Sequence, residues 1–513
     1  MKKYIFCSLI VMSSFFGYSQ EISDALRFSQ DNLNGTARFR ALSGAFGALG
    51  GDLSSINVNP AGSAIFANNQ FGATISNFNK KNNSNYFGTN TSENDTSFDL
   101  NQAGMVFVFN NKNSKSDWRK FSIALNYENA NNFDNSTFSA GVNPTNSIDR
   151  YFLFYANQNG GVPLGDLQLQ SGETISSLYS FLGSTSGFGA QQAFLGYQAF
   201  VIDPAANYDD LTNRSYVSLV PGGGNYYQEN YFTSDGYNGK VNFNFATQYK
   251  DFLYLGINLN SHFANYSQYT NFFERNNQEG DQFRINRLQF ENRLSTYGNG
   301  FSFQVGTIAK VTKELRVGLA YESPTWFNLN DELSQSLIGV SSTNLVELAP
   351  DVVNPNVITI FERYRLQTPD KVTGSFAYIF GNQGLISIDV AFKNYSEATV
   401  RPNNDFINLN TAISNTLTNS TEIRIGAEKK IKQLSLRAGY RFEESPYKNT
   451  AIMGDLTGYS GGLGYNFGNT KVDLSYSHSK RDFQQQFFSQ GFTDSARIQE
   501  IMNNISLTFL FEL

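Results

Sequence analysis

Acid–base or metal chemistry needs ionisable side chains gathered in one place, and in this chain of 513 residues those best suited are scarce. His262 and His478 are the two histidines and Cys7 is the one cysteine. Neither histidine stands beside a recognisable nucleophile motif. No cluster of His or Cys has the spacing of a metal site. No catalytic and no metal-binding residue is therefore assigned, no cofactor is expected, and the chain is not read as an enzyme. Cys7 sits in an apolar run from Ile5 to Phe16 that follows Lys2 and Lys3 and leads into Gly17-Tyr18-Ser19 ahead of Gln20. This is the layout of a secretory signal peptide with a small-x-small cleavage site over residues 1–19. The mature chain then starts at Gln20, and thiol and disulfide chemistry leave with the leader.

A second set of residues is notable for backbone freedom. Gly44, Gly47, Gly50 and Gly51 precede Asp52, and Asn57-Val58-Asn59-Pro60-Ala61-Gly62 follows. The glycine spacing is not the dinucleotide pattern and follows no strand. Glycines with an Asn-Pro turn describe compact irregular structure laid closely against another surface. Residues 20–68 are too short for an independent domain, so something else must supply that surface.

The rest of the chain supplies it. Net charge is −6 and grows more negative once Lys2 and Lys3 are lost, so there is no nucleic-acid footprint. Beyond the leader no run of about 18 apolar residues exists to form a spanning helix. A membrane strand needs only ~9–11 residues with alternate ones apolar, and a mean hydropathy of −0.35 with 47 Phe and 28 Tyr suits that pattern. Phe121, Ile123, Leu125 and Tyr127 alternate with Ser122, Ala124, Asn126 and Glu128. The same period of two recurs at Leu253 to Leu259, Leu315 to Tyr321, Ile386 to Phe392 and Leu434 to Tyr440. The last strand, Ile505 to Leu513, runs to the end of the chain.

Tight turns at Lys250-Asp251, Lys310 to Lys313, Gly381 to Gly384, Lys430 to Gln433 and Gly468 to Thr470 alternate with long polar stretches such as 272–289, 328–356 and 481–499. Short periplasmic turns and long outer loops are the parity of an outer-membrane barrel. The expected fold is all-β: a transmembrane antiparallel β-barrel of roughly 14 strands over residues 69–513, its lumen holding residues 20–68 as a plug. A large extracellular insertion is expected at about 130–236, with a helix near 191–200. In this register His262 faces the lumen and His478 the lipid. Val106 and Val108 oppose Met105, Phe107 and Phe109, making one strand apolar on both faces. They could line a ligand site or pack on the plug.

Ala41-Leu42-Ser43-Gly44, Asp52 and Asn59-Pro60-Ala61 resemble the hatch signature of the FadL/TodX family of outer-membrane transporters for long-chain fatty acids and other hydrophobic compounds. The likeness returns in Gly318-Leu319-Ala320-Tyr321-Glu322-Ser323-Pro324, then in Pro369, Gly374, Tyr378, Asp389 and Tyr395-Ser396. It ends in Gly426-Ala427-Glu428, Arg437-Ala438-Gly439-Tyr440 and Ser445-Pro446. The resemblance implies uptake of a hydrophobic small molecule by passive diffusion, gated by a hatch in which Gly44, Asp52, Asn59, Pro60 and Ala61 take part. Expected partners are outer-membrane lipid and, during biogenesis, the barrel-assembly machinery. A different use of the same fold is docking in protein secretion or surface attachment, because fold alone does not fix function. Stable co-purifying protein partners would favour that use, and bound lipid or aromatic compounds would favour transport.

Overall fold

The computed structural model describes residues 20–113, 115–206, 209–276 and 282–513. The expected signal peptide, Cys7 included, lies outside the described residues. Fourteen antiparallel strands form one closed barrel. In chain order they are β1 Gln70–Tyr86, β2 Thr89–Asn110, β3 Trp118–Asn132, β4 Tyr226–Tyr249, β5 Leu253–Arg275, β6 Arg284–Lys310 and β7 Leu315–Glu322. These continue with β8 Lys371–Ile379, β9 Gly384–Asn394, β10 Asn419–Ile431, β11 Leu434–Glu443, β12 Leu456–Asn466, β13 Thr470–Gln486 and β14 Ser495–Glu512. The ring closes where β1 pairs with β14, from Gln70↔Glu512 to Asn85↔Arg497. This pairing gives the first and last strands a partner each, sparing them an open edge in lipid, where an unpaired N–H or C=O costs several kcal/mol.

Alternation sets the two faces. On β3, Phe121, Ile123 and Leu125 are exposed and Ser122, Ala124 and Asn126 are buried. The outward set continues around the wall as an apolar belt. At the seam Phe71 stacks on Phe511 with ring centroids 4.9 Å apart. The inward set is small and polar: Asn242, Asn244, Asn258, Asn260, Ser302 and Gln304 are all buried.

Outside the membrane the wall is taller than the sequence implies. The stretch 328–356, expected as a loop, is largely strand: after a break at Pro324, Trp326–Thr343 continues β7 and pairs with β6 from Trp326↔Phe301 to Ser342↔Arg284. Proline lacks the N–H a ladder needs, which is why the strand steps there. The stretches 272–289 and 481–499 are likewise mostly strand.

The insertion differs in a related way. β4 begins at Tyr226, so the residues up to Gly236 belong to the wall, and Asn135–Asn143 pairs with the upper part of β4. Between them lie helices Asp149–Asn157, Ile175–Thr185 and Phe188–Gln198. Their apolar faces, with Phe152, Leu178 and Phe194, close on Phe272, Phe290 and Leu337 from the tall strands and on Phe492 from the segment before β14, making a cap with its own core.

Candidate functional site

The plug is built from short local structures. Thr36 starts the helix Ala37–Ala41 by accepting from the Phe39 N–H, and Asp52 starts a 3₁₀ turn by accepting from Ser54 N at 2.9 Å. Asp52 also accepts from Thr36 Oγ1 at 2.8 Å, so it ties the two turns together. Burial raises the Asp52 carboxyl, with Arg38 and these donors opposing. Asn59 caps the 3₁₀ helix Pro60–Ile65 through Ala61 N, and its Nδ2 donates to Gly47 O at 2.7 Å and to Thr307 O of β6 at 2.9 Å. Gly44 has φ +78°, a region that costs a side chain strain.

Glycines of the wall receive the plug. A Cβ at Gly256 would collide with the Pro60 backbone, one at Gly306 with Asn59, one at Gly318 with Gly47, and one at Gly439 with Ser43. Polar groups then pin it. Asp389 Oδ2 accepts from the N–H groups of Phe46 and Gly47, both at 2.9 Å, and Arg316 donates to Leu49 O at 2.8 Å. Arg38 pairs with Glu428 at 3.0 Å. Asp31 joins Lys371 at 2.7 Å and Lys393 at 3.3 Å. Burial alone would raise the Asp31 carboxyl, but these two ammonium groups hold it well below the usual range. A lowered folded pKa contributes docking stability above the ordinary carboxylate value, and this is lost only as pH falls through the lowered one.

Gly44, Asp52, Asn59, Pro60 and Ala61 thus converge in the plug. Val106 is fully buried against Leu53, Ile56 and Phe66 of the plug, with Val108 beside it, so plug side chains cover both. His262 points inward to Ser302 Oγ at 2.9 Å. His478 lies on the outward register of β13 with Asn503 as partner. Among the described residues no group of three or more His, Cys, Asp and Glu is placed to hold a metal.

Two features have no single-residue signal in the sequence. The first is an unzipped stretch of wall. β2 pairs with β3 only from Asn110↔Lys120 to Gln102↔Glu128. At Asn101 the β1–β2 ladder has a bulge, and Asn101 turns to donate to Gly35 O of the plug. Beyond it, among the described residues, side chains bridge the two strands: Asn132 Nδ2 to Asp99 at 2.5 Å and to Ser97 at 3.2 Å, and Asn129 Nδ2 to Asp99 at 3.3 Å. The second is a cavity beside the plug, whose lining includes Leu33, Phe78, Ser97, Asn132, Arg441 and Met502. Next to it Arg40 is fully buried, donating to Ser477 Oγ at 3.2 Å, with no carboxylate in ion-pair contact among the described residues. Burial pushes its guanidinium down to about 10.

Replacing Asn59 and Pro60 together by Ala removes the side-chain bonds to Gly47 and Thr307 and frees the turn. Ligand uptake should change while the barrel assembles at normal surface levels. Unchanged uptake in cells would leave the pair a purely structural role.

A closed barrel with an apolar belt, a polar lumen and a docked N-terminal plug defines an outer-membrane transport barrel. The family model described as "Outer membrane protein transport protein (OMPP1/FadL/TodX)" matches residues 240–499, just over half of the chain, and the protein belongs to that family. Among solved structures it is similar to a Pseudomonas aeruginosa FadL homologue, at 12% identity over 94% of this chain and 99% of that one, with a TM-score of 0.54. It is also similar to the P. putida toluene transporter TodX, at 12% identity over 94% and 99%, with a TM-score of 0.49. No curated protein matches.

Proposed function

We propose that the protein takes up hydrophobic molecules carrying an acidic head group, long-chain fatty acids above all, and releases them sideways through the wall between β2 and β3. The observation that carries this reading is the position of the cavity, which touches both edges of the unzipped stretch: Asp95 and Ser97 from β2, Asn132 and Asp134 beyond the foot of the gap. A greasy molecule crossing there hides its surface from water throughout. Arg40 supports the acidic head, because a buried guanidinium without a carboxylate partner is costly until an anion joins it. In this reading Gly44, Asp52, Asn59, Pro60 and Ala61 act by keeping the hatch in register, and a small shift of that hatch gates passage.

Liposomes holding the purified protein should take up a fluorescent long-chain acid faster than protein-free liposomes. Ser97→Trp, which fills the gap, should lower that rate several-fold without letting sugars through. No uptake above protein-free liposomes would sink the transport reading. Undiminished uptake by the Trp variant would sink the lateral route alone.

A further inference from the structure

We infer that Asp331 is the acceptor for the amino terminus created when the leader is removed, an ion pair that fixes the head of the hatch beneath the cap. Asp331 lies on the continuation of β7 and is buried. Its carboxylate accepts from Gln20 Nε2 at 2.6 Å, Thr296 Oγ1 at 2.7 Å and Tyr364 OH at 3.4 Å. All three donors are neutral, and among the described residues no Lys or Arg is in ion-pair contact with it. A buried carboxylate lacking a counter-charge is destabilising, and the cost is relieved by a cation with good geometry.

The residue whose side chain already reaches Asp331 is the one that gains a charge on maturation. Hydrolysis of the Ser19–Gln20 peptide bond leaves a carboxylate on the departing leader and an ammonium on Gln20. Gln20 is buried as well. Just below it, Leu26 and Phe28 sit in an apolar cluster with Phe327, Leu329, Tyr364 and Phe406. Low-dielectric surroundings of this kind strengthen a charge pair. An uncleaved chain carries only a neutral amide at this point, so the ion pair forms after cleavage and adds to the Gln20 side-chain bond already in place. The inference rests on the cleavage site read from the sequence, and its test separates the two.

The test uses mature protein extracted from outer membranes. Intact mass establishes the first residue. An amine-reactive ester, whose acyl carbon is attacked only by the uncharged amine, then measures the labelling rate of the terminus. In the wild type that rate should be at least roughly tenfold below that of Asp331→Asn, the consequence of raising the amine pKa by about one unit through pairing. A second variant with one Ala inserted ahead of Gln20 displaces the ammonium without touching the barrel and should label as fast as Asp331→Asn. Equal rates in all three folded proteins overturn the pairing. A terminus cyclised with loss of ammonia, and so uncharged, overturns it too. A chain starting at another residue overturns the cleavage site itself.

Discussion

Removing residues 21–67 should convert a barrel that excludes sugars into one that passes them. A lumen of 14 strands is wide enough to hold water unless something fills it, and here the filling is one continuous segment held by hydrogen bonds to wall residues from Asn101 to Thr508. Liposome swelling in sugar solutions measures the change directly. The intact protein should give little swelling, and the deletion should approach the rate of a general porin. Fast swelling with the intact protein would mean that the lumen already conducts, and the selective reading would fail.

Asp389→Ala should produce much of that leak with a single atom group removed. The carboxylate holds two consecutive backbone N–H groups of the hatch. Hydrogen bonds to a charged group contribute about 1.5–3 kcal/mol each. Losing both costs roughly 3 kcal/mol or more, which shifts the docked-to-undocked ratio by on the order of a hundredfold. The strand itself is spared, because Asp389 pairs with Ser375 and Arg424 through its backbone. Limited proteolysis within residues 36–66 reads the undocked fraction. Asp389→Asn keeps an acceptor and should lie between the two. If the Ala variant is as protected and as tight to sugars as the wild type, the hatch is held by its glycine seats and Asp389 is dispensable.

The membrane part of the wall was legible because lipid imposes a one-sided pattern: Phe121, Ile123 and Leu125 must be apolar, and their neighbours need not be. Above the lipid both faces meet water or protein, the constraint lapses, and Trp326–Thr343 reads as a polar loop although it is strand. The hatch was legible through Gly44 and Asn59-Pro60, whose backbone demands restrict residue type. The anchors Arg316 on the wall and Asp31 on the hatch were not, since a charge facing the lumen has no local signature until the fold supplies its partner, and Asp389 stood out only as part of the family likeness. The gap between β2 and β3 is less visible still. It is a matter of which strands stop pairing at Gln102 and Glu128, and pairing is not a property of any one residue.

Thr508 on the last strand bonds Thr74 on the first strand at 2.7 Å and also receives the N–H of Ala37 at 2.7 Å. The zip that makes the cylinder and the seat that holds its contents therefore share one hydroxyl. The leading segment is in this sense a mandrel: the staves are gathered round it, and the last stave is fitted against both the first and the core it encloses.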